Sequence, residues 1–90
     1  MKKSAAVYAA ALGHAPVVGM LLERGVAVDA AYEHDLTLLM WAAGQGQAEV
    51  VSLLLARGAR TDLRDDRGLT AAEIARQAGH TAVATLLGAR

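Results

Sequence analysis

The sequence predicts an all-α fold in which three helix–turn–helix units lie side by side as a short solenoid, joined by turn-rich connectors. Self-similarity carries most of this. Laying Ser4 to Leu36 over Thr37 to Leu69 gives 12 identities in 33 positions, and Thr37 to Arg57 over Thr70 to Arg90 gives 8 in 21. Composition points the same way: 21 Ala and 13 Leu against 8 Val and 1 Ile favour close-packed helices over sheet. The matches also fall on small, turn and apolar positions (Ala9/Ala42, Gly13/Gly46, Val17/Val50, Leu21/Leu54, Gly25/Gly58), while polar positions drift. A packing constraint leaves that pattern. The expected organisation is one domain over 1–90 with units 4–36, 37–69 and 70–90.

Each unit opens with a hydroxyl residue, Ser4, Thr37 or Thr70, placed to cap the orphan amides of an Ala-rich first helix. Thr70 and Glu73 have the spacing of a capping box. The first helix ends at Gly13, Gly46 or Gly79, residues suited to a left-handed C′ position. A second helix follows within about two residues. Pro16 fits its first turn, and Glu49, at the matching position, favours the positive helix end. Val50, Val51, Leu53 and Leu54 form its apolar stripe, and Arg24 or Arg57 precedes the terminal Gly25 or Gly58. The Asp-containing connectors 26–36 and 59–69 join one unit to the next. Helices of about eight to ten residues do not persist alone in water, so each pair must be covered by its neighbour.

Thr37-Leu38-Leu39-Met40-Trp41-Ala42-Ala43 resembles the T-P-L-H-x-A-A motif of ankyrin repeats. Gly46, Glu49-Val50-Val51, Leu53-Leu54-Leu55, Gly58-Ala59, Asp62, Asp65 and Gly68-Leu69-Thr70 continue the resemblance, which covers Ser4 to Arg90. It implies L-shaped units with β-hairpin fingers, and a concave face of fingers and first helices that binds other proteins. No unit keeps both Pro and His of the motif. In the family that His links neighbouring loops, so the links here are expected to be weaker. Asp35 stands where Gly68 stands in the next finger, so the first finger is expected to bend differently.

Other functions find little support. Nine basic and nine acidic residues leave zero net charge, with no footprint for nucleic acid or an anionic membrane. The uncharged run from Ser4 to Leu22 contains His14, Pro16 and two Gly, which argues against a membrane span. Absence of Cys removes disulfides, thiolate metal sites and a Cys nucleophile. His14 and His80 lie two periods apart, roughly 16–20 Å for stacked helices, and cannot share a metal ion. Ser4 and Ser52 lack a His–acid partner by spacing, and no P-loop, G-x-G-x-x-G or H-E-x-x-H is present. Neither catalytic residues nor a cofactor or metal is therefore expected. Asp65-Asp66 between Arg64 and Arg67 reads as ion pairing in an exposed finger. Met1-Lys2-Lys3 followed by an apolar stretch imitates a signal peptide, but Ala9, Ala10 and Gly13 keep the repeat register, so a cytosolic location is expected over export.

The functional expectation is a non-catalytic module that binds a protein partner through its fingers and concave first-helix face. The candidate residues are Glu33, His34, Leu36, Gln45, Arg64, Asp66, Arg67, Leu69 and Gln77, which mix both charges with two Leu. The column Tyr8, Trp41, Ile74 reads as stacked core, with an aromatic anchor as the other reading. At the far end Thr81, Thr85 and Gly88 thin the apolar stripe like a closing cap. The helix from Ala5 to Leu12 is apolar all round and should be covered. A second copy, making a homo-oligomer, or further repeats of a longer array would cover it.

Overall fold

The computed structural model describes residues 4–88; the basic start at Met1 to Lys3 and the end of the third unit, residues 89 and 90, lie outside them. Six helices follow in order: α1 (Ala5–Leu12), α2 (Ala15–Glu23), α3 (Leu38–Gly44), α4 (Ala48–Ala56), α5 (Ala71–Gln77) and α6 (Thr81–Gly88). The caps are where the sequence puts them. Ser4 Oγ accepts the Val7 N–H at 3.1 Å, and Thr37 and Thr70 Oγ1 accept from Met40 and Glu73, both at 3.3 Å. In the third unit the Glu73 carboxylate returns to the Thr70 N–H at 2.9 Å. Met40 Sδ does the same for the Thr37 N–H at 3.4 Å, a thioether standing in for the carboxylate.

Five of the helix-ending glycines, Gly13, Gly25, Gly46, Gly58 and Gly79, have positive φ between 72° and 103°. At two of them an added side chain would also meet a side chain of the next unit, which would have to shift. A Cβ on Gly13 would lie 2.5 Å from Gln47 Oε1, and one on Gly46 would lie 2.6 Å from His80 Nδ1. Gln47 and His80 therefore reach back onto the unit before them, and Gln47 Nε2 also donates to the Ala11 carbonyl at 3.0 Å. Ile74 leans the same way, against Gly44. Each unit thus has a leading face, which meets the unit before it, and a trailing face, which meets the unit after it.

The first helices α1, α3 and α5 pack against one another far more extensively than do α2, α4 and α6. Ala9, Ala42 and Ala75, all buried, are the small residues that allow it. The stack consequently bends with its first helices on the inner side. Its core is thickest in the middle unit, where Leu38, Leu39, Met40, Val50, Val51 and Leu54 are among the most completely buried side chains.

The fingers are turns, and no strand forms among the described residues. In each, one main-chain bond spans the loop: Tyr32 N–H to Leu36 O at 2.8 Å, and Asp65 N–H to Leu69 O at 3.0 Å. A ladder needs successive rungs, and loops this tight close on one. The two fingers differ as the Asp35 substitution anticipates. The second has one left-handed residue, Gly68, whereas the first places both His34 (φ 63°) and Asp35 (φ 60°) there.

Candidate functional site

The inner side of the stack carries the candidate residues. Glu33, His34, Arg64, Asp66 and Arg67 are exposed on the two fingers, and Gln45 and Gln77 are exposed at the ends of α3 and α5. Leu36 and Leu69 are half-buried. Leu36 packs against the hydrophobic core, so part of its side chain serves the fold. Leu69 instead lines an open depression of about 320 Å³ with Glu73, Arg76 and Gln77.

The fingers are joined to each other. Asp66 N–H donates to the His34 carbonyl at 2.9 Å, and His34 Nδ1 lies 2.9 Å from Asp66 Oδ2. A third link sits deeper in the connectors, where the Arg60 N–H donates to Asp29 Oδ1 at 2.9 Å. These contacts link neighbouring loops without a motif His. The left-handed turn at His34 and Asp35 is thereby held in place from the neighbouring finger.

Asp65 departs from the exposed ion pair read from the sequence. Its side chain is only 1% exposed. It accepts the Arg67 and Leu69 N–H groups at 2.9 and 3.0 Å and the Arg67 guanidinium at 2.9 and 2.7 Å. Burial pushes its carboxyl upward, but these four donors together outweigh that and hold it below the ordinary carboxylate range. Asp65 is the post around which the second finger is wound. Tyr32 holds the matching place in the first finger. Arg64 also turns inward, donating to the Gly68 carbonyl at 2.7 Å and lying 3.6 Å from Glu73. Hydrogen bonds from the Thr70 cap, with smaller help from Arg64 and Arg76, keep the Glu73 carboxyl below its usual range.

The structure adds one residue that the site reading omitted. Leu12, at the end of α1, is 62% exposed, and its repeat-mates Gln45 and Ala78 are exposed as well. It therefore belongs to the same exposed row at the ends of the first helices as Gln45. The repeat register held the signal, since the matching Gln45 was already a candidate.

A family profile for ankyrin repeats, in three copies, matches residues 6–90. The chain is an ankyrin-repeat protein. No individual curated protein matches it. Ankyrin repeats are in general protein–protein interaction modules, and such domains are typically non-catalytic. Among the described residues of this ankyrin domain, no group of three or more His, Asp or Glu is placed to hold a metal ion, and no helix is long and apolar enough to cross a membrane. The surface the ankyrin fingers offer is a mixed-charge rim, with Glu33 and Asp66 beside Arg64 and Arg67, next to the exposed ends of the first helices.

Proposed function

We propose that this chain is a single, non-catalytic domain of three ankyrin units, 4–36, 37–69 and 70–90, that binds a partner protein through its fingers and inner first-helix side. One observation carries the reading: the finger tips are cross-linked at His34 and Asp66, which presents their charged groups as one pre-arranged rim. A rim already ordered loses little side-chain freedom on binding. Leu12, Gln45, Leu69 and Gln77 supply the apolar and amide contacts inside it. Balanced charge supports a protein partner over a nucleic acid or a membrane surface. A cytosolic setting is supported by α1, since the stretch that imitates a leader is used as the first helix of the stack.

The test is affinity capture with the intact chain, repeated with Leu69→Asp and Gln45→Arg on the inner side and Glu49→Lys on the second-helix side. The reading expects the first two to lose the captured protein and the third to keep it. Loss with Glu49→Lys alone would contradict it.

A further inference from the structure

We propose that two copies of this chain associate through the leading face of the first unit, leading face against leading face. The proposal is independent of the finger surface. It rests on what the repeat shows about the same positions when they are covered. Val50 and Val83 are 0% and 3% exposed, whereas Val17, their mate in the first unit, is 38% exposed. Leu38 and Ala71 are buried and Ala5 is exposed. Trp41 and Ile74 are half-buried and Tyr8 is 54% exposed, so the column Tyr8, Trp41, Ile74 is stacked core only in its last two members. In units two and three the cover is the preceding helix pair. In the first unit no described residue covers the same face.

The opposite end is finished differently. On the trailing face Ala10 and Ala43 are fully buried, and the third unit puts exposed Arg76 at that position. Val7 and Met40 are buried there, and the third unit has Glu73, engaged with Thr70 and Arg64. Terminal units of a solenoid need such a polar outer face. Among the described residues, the third unit has one on its trailing face and the first unit has none on its leading face.

That asymmetry selects the occupant and its orientation. Head-to-tail stacking would set α1 of one copy against α5 of the next and strip water from Arg76 and Glu73, at a cost of desolvation. Leading face on leading face brings apolar surface to apolar surface. No charged residue occurs in α1, and the first in α2 is Glu23 at its end, so among the described residues these two helices oppose no like charges along a two-fold contact. Such a contact is self-complementary and closes at two copies.

Sedimentation equilibrium of the full chain from micromolar to near-millimolar concentration tests this. The expected mass rises from 9.3 kDa to twice that value and stops. Tyr8→Lys/Val17→Lys should remain at the monomer mass with unchanged far-ultraviolet circular dichroism, and Glu49→Lys, on α4 of the second unit, should dimerise like the parent. Should the double variant unfold, Tyr8→Gln alone should weaken the dimer at least about tenfold, reflecting loss of a single apolar anchor. A parent chain that stays monomeric throughout, grows beyond two copies, or dimerises unchanged with folded Tyr8→Lys/Val17→Lys overturns the proposal.

Discussion

Asp65 and Asp35 show how much two finger residues decide. Asp65→Ala leaves the Arg67 and Leu69 amides without their acceptor in a half-buried turn, which should cost about 1–3 kcal/mol of unfolding free energy in urea titrations. Because its folded pKa is depressed, the charged form binds the native state better. Its contribution is complete above the unfolded carboxylate value, near pH 4, and is lost as pH falls through the lower folded value. Acid titration of the parent and of Asp65→Asn should therefore converge at low pH, separate as pH rises toward about 4 and stay a constant distance apart above it. Asp35 makes the opposite case. It holds φ at 60°, which Gly adopts without penalty, so Asp35→Gly should raise stability by about 1 kcal/mol, seen as an increased urea midpoint at unchanged slope. Asp35 was legible from the repeat alone, since its mate is Gly68. The burial of Asp65 was not: two adjacent Asp between two Arg look alike in sequence, and only the winding of the loop puts one inside and the other on His34.

At the scale of the helix, caps and exits were readable because they depend on local chemistry. Ser4, Thr37, Thr70 and the helix-ending glycines each act within a few residues of themselves. Contacts across units were less so. That Gln47 and His80 lie over Gly13 and Gly46 follows from how one pair sits on the next. Gly46→Ala therefore meets two penalties, a left-handed φ of 72° and the His80 ring at 2.6 Å. It should destabilise by more than about 1 kcal/mol in thermal unfolding, whereas Gly58→Ala, with nothing in the way, should suffer the conformational penalty only. The exposure of Tyr8 belongs to the same class. Its column reads as core from periodicity, and only its place at the uncovered end of the stack leaves it in solvent.

For the molecule as a whole, the governing claim is that six short helices hold because each pair lies on another. The period made that architecture readable, while the finger rim had to wait for the His34–Asp66 and Asp65 geometry. The middle pair, α3 and α4, has neighbours on both sides and the largest buried side chains. Leu54→Ala there opens a cavity worth about 2–5 kcal/mol and should weaken both flanking interfaces together. Hydrogen exchange of the intact chain, read by mass spectrometry, tests this most directly. In the parent the slowest amides should lie in α3 and α4. In Leu54→Ala exchange should accelerate in all six helices, α1 and α6 included. Acceleration confined to α3 and α4, with the outer pairs as protected as before, would show that the pairs stand alone and would contradict the account.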